Sequence, residues 1–242
     1  MDITNDIHSQ HISRQFNQEL DELKTHLMAM GGLVEKQVQD AVGALLDHDS
    51  SLAERVVDND RAVNDMQIKI DEECTQVLAR RQPTASDLRL VLAVIRAASD
   101  LERIGDEASK IARNAIDLIE ADNGNRGFVE VRMISEHVRR MVRDALTSFA
   151  RLDTQLALKL VHEDDEVDNE YRSAMRSLMT FMMEDARSIS SVLSVMWILR
   201  ALERIGDHAN NLAEYVVYLV KGLDIRHTDP EDLDKDMLEG KD

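Results

Sequence analysis

The stretch Leu-Glu-Arg-Ile-Gly-Asp at residues 101–106 recurs without change at residues 202–207. Around the first copy, eight apolar residues follow one another at alternating steps of three and four, and the eight corresponding positions around the second copy are also apolar. This spacing places each set on one face of a helix that packs in a bundle. The pattern therefore predicts two long, equivalent helices, roughly residues 86–120 and 189–222.

Two further segments with helical periodicity precede each of these long helices. Apolar residues at helical spacing mark residues 20–45 and 56–77 in the first half, and residues 138–149 and 160–181 in the second. The chain has two prolines and 3% aromatic residues, a composition typical of long helices. We predict an all-α fold of two tandem three-helix bundles, related by an internal repeat and packed in the manner of spectrin repeats.

Residues that favour helix ends fall between these segments. A capping-box pattern begins at Ser51 and predicts the start of the second helix. Pro83 opens the third helix, Asp153 is a candidate cap for the fifth, and Gly222 ends the sixth. Together these boundaries predict three parts, namely a first repeat, a second repeat and an acidic, mobile tail: residues 8–121, 127–225 and 226–242. An Asn/Gly-rich stretch at residues 122–127 separates the repeats.

Charge and composition exclude several classes of function. The formal net charge is −18, and because no Lys/Arg-rich run offsets it, we expect no nucleic-acid partner. No apolar run approaches the ~18 residues that cross a bilayer, so we expect no direct membrane insertion. The lone cysteine, Cys74, excludes an internal disulfide, and no secretory signal is visible. We expect a cytoplasmic protein that reaches the inner membrane only through partners.

The repeated stretch carries a pair of carboxylates in each half. Glu102 and Asp106 are four residues apart and so share one helix face, as do Glu203 and Asp207. That face lies opposite the apolar stripe, and it is itself apolar in the preceding turns of the helix. An apolar face that ends in two carboxylates is not a generic solvated face.

The middle helix of each half adds oxygen-bearing side chains at matched positions. Asp60 and Asp164 interrupt apolar stripes, and Asn64 and Asp168 follow them by four residues. Each bundle can thus gather several oxygen ligands from two helices. The candidate metal ligands are Glu102, Asp106, Asp60 and Asn64 in the first half, and Glu203, Asp207, Asp164 and Asp168 in the second.

Clustered carboxylates repel one another, and two interpretations explain how the repulsion is offset. A bound cation is one, and carboxylates without repeated His or Cys suit Mg²⁺, Mn²⁺, Ca²⁺ or iron. The other is that Arg103 and Arg204 neutralise the acids as ion pairs, or that water solvates them. His208 beside Asp207 is a further candidate ligand, although the first half has Glu107 at that position.

Other chemistry-bearing patterns are few. No Gly-rich phosphate loop and no Ser/His/Asp or Cys/His arrangement is present, so we predict no catalytic residues, no organic-cofactor site and a protein that is not an enzyme. The mid-helix glycines Gly105 and Gly206 suggest close approach of another helix or a ligand. Methionines and the tryptophan between residues 179 and 197 are typical of a core, and a partner surface is the alternative.

The doubled Glu-Arg-Ile-Gly-Asp string resembles the paired E/D-x-x-x-D signatures of the PhoU family. The resemblance covers residues 8–227 and extends to four more stretches: residues 15–17, 30–32, 81–89 and 179–185. It implies two three-helix bundles and a cytoplasmic negative regulator of the phosphate (Pho) regulon. Such proteins link the Pst phosphate transporter, through its PstB-type ATPase, to a PhoR-type sensor kinase and modulate phosphate uptake; we also expect a homodimer.

The resemblance also implies metal clusters at the E/D-x-x-x-D motifs, with Mg, Mn, Fe or Zn as the divalent or trivalent ion. Asn64 stands where the family pattern has an acid, so the first site would be weaker or smaller than the second. Two other functions stay open from the residues alone. They are a carboxylate-bridged metalloenzyme and a purely structural helical adaptor.

Overall fold

A computed structural model describes residues 3–121 and 128–226, with side chains from residue 14 onward, and six α-helices contain almost all of these residues. A short 3₁₀ turn, Ala186–Ser188, joins the fifth helix to the sixth. The helices are α1 (Ile3–Leu46), α2 (Ser50–Arg81), α3 (Ala85–Glu120), α4 (Phe128–Arg151), α5 (Thr154–Glu184) and α6 (Ile189–Lys221).

The six helices form two three-helix bundles that lie side by side. Helices α1, α2 and α3 pack on one another, and α4, α5 and α6 do the same. The bundles meet chiefly through α3 and α6, with a smaller contact between α1 and α4. This architecture confirms the predicted fold of two tandem bundles related by an internal repeat.

The two long helices lie at the centre because they are apolar on more than one face. All sixteen residues of the two predicted apolar stripes are buried. Val91 and Ala98 on α3, and Val192 and Leu199 on α6, are buried as well, although they lie on the opposite face. A helix with two apolar faces packs between two neighbours, so α3 and α6 each contact their own bundle and one another.

The observed helix ends confirm two predicted caps and correct one. Asp153 caps α5, and the positive φ of 72° at Gly222 ends α6. The prediction of a capping box starting at Ser51 is wrong. Asp49 is the N-cap of α2, accepting hydrogen bonds from the Leu52 amide and from the Ser51 hydroxyl (both 2.9 Å). Asp49 precedes Ser51 in the chain and occupies the N-cap position. From there its side chain can accept from the amides of the first helical turn, which have no partner within the helix.

Part of the predicted organisation lies outside the described residues. The separating stretch at residues 122–127 and residues 227–242 of the predicted tail belong to this part. Within the described helices, none combines the length and the apolar character that a membrane span requires.

Candidate metal centre

Three carboxylates converge in the second bundle. Asp168 on α5 and Glu203 and Asp207 on α6 each place one oxygen within 4.8 Å of the others. The four-residue spacing on α6 puts Glu203 above Asp207 on one face, and α5 packs against that face and presents Asp168. We call these three residues the second cluster.

Burial makes the negative charge of the second cluster costly. Glu203 is only 8% exposed, and desolvation, together with the charge of Asp207, raises its pKa to about 7. The pKa of the exposed Asp207 carboxyl is also raised, first by desolvation and then by Asp168. One oxygen of Glu203, Oε2, is buried and has no hydrogen-bond partner among the described residues. The cluster therefore holds crowded negative charge and an unused ligand atom.

Asp164, the fourth residue predicted for this site, lies beside the cluster rather than within it. Its Oδ2 accepts a hydrogen bond from the Asn210 amide at 3.3 Å. Desolvation, followed by the charges of Asp207 and Asp168, raises its pKa to about 6. The charges of the cluster thus act on the pKa of Asp164, and the hydrogen bond from Asn210 holds this carboxylate at the edge of the cluster.

The predicted residues of the first bundle are neighbours but converge less closely. Desolvation, then the Asp106 carboxylate and, more weakly, Asp60, raise the pKa of Glu102. Asp60 Oδ1 and Asn64 Oδ1 are buried without a hydrogen-bond partner in the described part of the chain. Across residues 14–121 and 128–226, only the second bundle brings three such side chains within 4.8 Å. We call Glu102, Asp106, Asp60 and Asn64 of the first bundle the first cluster.

The two copies of the repeated arginine have different partners. Arg103 lies over its own cluster, with Nε 3.5 Å from Glu102 Oε2 and Nη1 3.7 Å from Asp106 Oδ2. Arg204 instead crosses to the other bundle and pairs with the buried Glu107 at 2.9 Å. The interpretation that both arginines neutralise their own acids therefore describes only the first bundle.

Two arginines that the sequence reasoning missed contact the second cluster. Arg200 Nη1 donates to Glu203 Oε1 at 2.7 Å, and Arg172 Nη2 donates to Asp168 Oδ2 at 2.6 Å. Both lie one helical turn from their partner, at spacings of three and four residues, which is the signal that could have identified them. Because both arginine side chains are about half exposed (49% and 60%), each bond is readily exchanged with water.

His208 takes part in a buried contact between the bundles. Asp100 on α3 is 8% exposed and accepts from His208 Nδ1 (2.7 Å), Asn211 Nδ2 (3.1 Å) and the Tyr215 hydroxyl (2.7 Å), all on α6. These bonds join the bundles at the face where α3 meets α6. Sequence reasoning missed Asp100 because position 201, its counterpart in the repeat, is an alanine.

The donor set of the second cluster fits a hard or borderline cation. Every converging side chain offers carboxylate oxygens from two helices, the buried Glu203 Oε2 is unpaired, and the excess negative charge has only exposed arginines against it. Mg²⁺, Mn²⁺ and iron prefer such oxygen ligands. In the first cluster the oxygens Asp60 Oδ1 and Asn64 Oδ1 are without a hydrogen-bond partner among the described residues, and Asn64, unlike Asp168, carries no charge.

Both bundles match a known protein family in sequence. The PhoU domain matches residues 27–115 and 131–216, once in each bundle. A phosphate-specific transport system accessory protein PhoU homolog of Pseudomonas putida is 60% identical over 217 residues, which cover 90% of this chain and 85% of that protein. The accessory protein PhoU of Escherichia coli is 46% identical over 234 residues, covering 97% and 96% of the two chains.

Solved structures show the same fold. The crystal structure of PhoU from Pseudomonas aeruginosa superposes with a TM-score of 0.84 at 58% identity, covering 86% of this chain and all of that one. The phosphate transport system regulatory protein PhoU from Streptococcus pneumoniae gives a TM-score of 0.80 at 30% identity over 86% and 98% of the chains. The names of these relatives describe accessory and regulatory proteins rather than enzymes. On the domain match and on these identities, the chain belongs to the PhoU family.

Proposed function

We propose that this protein is a regulatory accessory subunit of a phosphate-specific transport system. The observation that carries the proposal is the pair of PhoU domains, one in each bundle, in a chain 60% identical to an accessory protein of such a system. The structure supports an adaptor role, since two bundles joined along α3 and α6 offer separate outer faces to separate partners.

In its finer form, the proposal is that the protein acts as a negative regulator of the phosphate (Pho) regulon. It would contact a PstB-type transporter ATPase and a PhoR-type sensor kinase on the cytoplasmic side of the inner membrane, as a homodimer. When phosphate is abundant, contact with the loaded transporter would favour the inactive state of the kinase. The family resemblance supports this form, and the net charge of −18 favours basic or apolar patches on partner proteins.

We further propose that a divalent or trivalent cation, such as Mg²⁺, Mn²⁺, iron or Zn²⁺, binds the carboxylate clusters. Asp168, Glu203 and Asp207 would hold it in the second bundle. Asp164, at the edge of the cluster, is an additional candidate ligand. Positive charge at this point would offset the repulsion that raises the pKa of Glu203. Because the unfolded chain lacks the converged oxygens, such binding stabilises the fold.

Deleting the gene and measuring a phosphatase reporter at high phosphate tests the regulatory proposal. We expect derepression of the reporter, restored to repression by the wild-type gene. A strain that stays repressed after the deletion contradicts the proposal and favours a purely structural adaptor. Complementation with Glu203→Gln, beside Glu102→Gln as the matched variant, shows whether regulation depends on the second cluster.

The alternative of a carboxylate-bridged metalloenzyme makes a different prediction. Purified, metal-loaded protein would then hydrolyse phosphate esters, and Glu203→Gln would abolish turnover. We expect no turnover above that of the buffer with metal alone. Hydrolysis that depends on Glu203 would overturn the non-enzymatic assignment.

A further inference from the structure

An apolar surface is exposed to solvent where α5 ends and α6 begins. Its five large side chains are between 42% and 88% exposed. Exposed apolar side chains that lie together mark interaction sites more often than scattered ones do. We call this the Met/Trp surface, and it consists of Met179, Met183, Ile189, Leu193 and Trp197.

The two helices present these residues on the same side of the bundle. Helices α5 and α6 are antiparallel neighbours joined by the 3₁₀ turn, so the end of one lies beside the start of the other. The Arg200 guanidinium lies 5.9 Å from the centre of the Tyr171 ring, which places the exposed face of α6 against this flank of α5. Met182 on α5 and Met196 on α6 are both partly buried and pack on the core. The exposed apolar side chains therefore lie on two neighbouring helices of one bundle.

The internal repeat shows that the fold does not require this surface. In the first bundle, Arg96 occupies the position of Trp197, with its guanidinium over the Tyr218 ring at 5.7 Å. Ala79 occupies the position of Met183. Leu88 and Leu92 occupy the positions of Ile189 and Leu193, so apolar side chains recur there. The exposed methionine and tryptophan, Met183 and Trp197, are specific to the second bundle.

The charge around the surface is opposite to that of the chain. Residues 171–200 contain four arginines and two acidic residues, a local net charge of +2 in a chain of −18. Arg187, in the turn between the helices, is 92% exposed and pairs with Asp185 at 3.1 Å. An apolar strip with basic flanks is complementary to a helix with one apolar face and acidic flanks, and methionine-rich strips adapt well to such helices.

The arginines at one end of this surface are the same two that contact the second cluster. Arg172 bonds to Asp168, and Arg200 bonds to Glu203. A carboxylate that binds a cation has less charge left to hold an arginine. Cation binding at the second cluster would therefore leave Arg172 and Arg200 available to acidic groups on a docked partner.

We propose that the Met/Trp surface docks an amphipathic helix of a partner protein, apolar on one face and acidic along its flanks, and that a cation in the second cluster strengthens this docking by releasing Arg172 and Arg200. The coupling to the cation rests on the proposed function; the docking itself does not. An anionic bilayer is the other occupant that an apolar strip with basic flanks admits, and vesicle binding is one of the outcomes of the tests below.

Two designed peptides test the docking. Each is a helix with leucines along one face, flanked by glutamates in one peptide and by lysines in the other. Trp197 is the only tryptophan, so its emission reports contact with the surface directly. We expect the glutamate peptide to shift Trp197 emission to shorter wavelength and to bind about tenfold more tightly than the lysine peptide. Equal binding of both peptides, or binding of neither, overturns the proposal.

Variants locate the binding site. Met183→Ala and Leu193→Ala remove exposed side chains, which leaves folding intact, and we expect each to weaken the labelled glutamate peptide by about five- to tenfold in fluorescence anisotropy. Ile68→Ala is the matched control, because Ile68 is 57% exposed on α2 of the other bundle; it should leave binding unchanged. A larger effect of Ile68→Ala than of Met183→Ala contradicts the assignment.

Two other occupants of the Met/Trp surface, a bilayer and a second copy of this chain, would each give a distinct experimental result. Tight binding to phosphatidylglycerol vesicles that Met183→Ala abolishes, without peptide binding, would make this a membrane surface. A loss of dimers on Met183→Ala in sedimentation would make it an interface between two copies. Either result overturns the proposal of a partner helix.

Adding Mn²⁺ tests the coupling. We expect several-fold tighter binding of the glutamate peptide with Mn²⁺, and no such gain in Asp168→Asn. Calorimetry on the same samples reports whether Mn²⁺ binds at all. Mn²⁺ that binds without changing peptide affinity overturns the coupling alone, whereas no Mn²⁺ binding contradicts the proposed metal function and leaves the peptide preference to decide the docking.

Discussion

The two bundles contain the same six-residue stretch, yet they build different sites from it. In the first, Arg103 covers Glu102 and Asp106 at 3.5 and 3.7 Å. In the second, Arg204 turns away to the other bundle, and the carboxylates of the stretch converge with a third from α5. The difference arises outside the repeated stretch, at the residues that each copy meets.

Two positions contribute to this difference. Position 107 is a glutamate in the first half, and it attracts Arg204 across the α3–α6 contact; the corresponding residue, His208, offers Arg103 no negative charge. The middle helix presents Asn64 to the first cluster and Asp168 to the second. A local motif therefore sets which ligands are possible, and its neighbours decide how much charge remains for a cation.

Replacing one candidate ligand in each cluster should give the largest difference between the two bundles, measured as loss of Mn²⁺ affinity. We expect Asp207→Asn to weaken Mn²⁺ binding at the second cluster by about 100-fold, since loss of an outer partner alone costs ~10–100-fold. Asp106→Asn should lower the affinity of the first cluster by less than about tenfold, because Arg103 already shares that charge. Calorimetric titration of chelator-treated protein measures both, and equal losses would contradict the inequality of the sites.

Adding a carboxylate to the first cluster should reduce the difference in Mn²⁺ affinity between the two clusters. Asn64→Asp gives the first cluster the charge that Asp168 gives the second, and we expect its Mn²⁺ affinity to rise by about tenfold. Without metal, the same variant should melt at a lower temperature, since a buried carboxylate joins Asp60 and Glu102. A variant that binds Mn²⁺ no better than wild type would show that ligand charge does not distinguish the two clusters.

The metal-free protein should lose stability as pH rises, in part through Glu203 of the second cluster; desolvation raises the pKa of Glu214 to about 7 as well. The pKa of Glu203 is about 7 in the fold against an ordinary 4.5, so between these values the folded state holds a proton that the unfolded chain has lost. Stability therefore falls as pH increases through this window. Melting of chelator-treated protein at about pH 5.5 and 7.5 should show a smaller pH-dependent loss in Glu203→Gln than in wild type. An unchanged loss in that variant would exclude Glu203 as a contributor and leave the other carboxyls with raised pKa values.

The repeated glycines give the smallest contrast. A methyl group at position 206 would lie 3.6 Å from Val167 Cγ1, an ordinary contact, so Gly206→Ala should stabilise the fold by ~0.5–1 kcal/mol. At position 105 it would lie 3.3 Å from Gln37 Oε1, a buried oxygen to which no described residue donates, and the crowding should cancel most of that gain. Denaturant unfolding of both variants tests this, and equal gains would refute the difference in packing.

Much of the fold could be predicted from sequence, because each helix has a counterpart in the other half and the two apolar patterns support the same assignment. All sixteen predicted stripe residues are buried, and the caps at Asp153 and Gly222 are as expected. The capping box at Ser51 was wrong because several side chains near a helix start compete for the same amides, and spacing alone does not rank them.

The site could be predicted less completely. Periodicity identified the candidate ligands, because spacing on one helix fixes which side chains share a face. Contacts between bundles have no such signature: Arg204 reaching Glu107, and Asp100 accepting three hydrogen bonds from α6, depend on how two helices distant in sequence meet. The internal repeat concealed both, because neither contact has a counterpart in the other half.

Anomalous diffraction from crystals grown with less than one equivalent of Mn²⁺ tests the central claim most directly. We expect a single strong peak between Asp168, Glu203 and Asp207, and a peak at the first cluster only when Mn²⁺ is in excess. A stronger peak between Glu102, Asp106 and Asp60 at limiting Mn²⁺, or equal peaks at both clusters, would contradict the claim that the second bundle holds the stronger cation site.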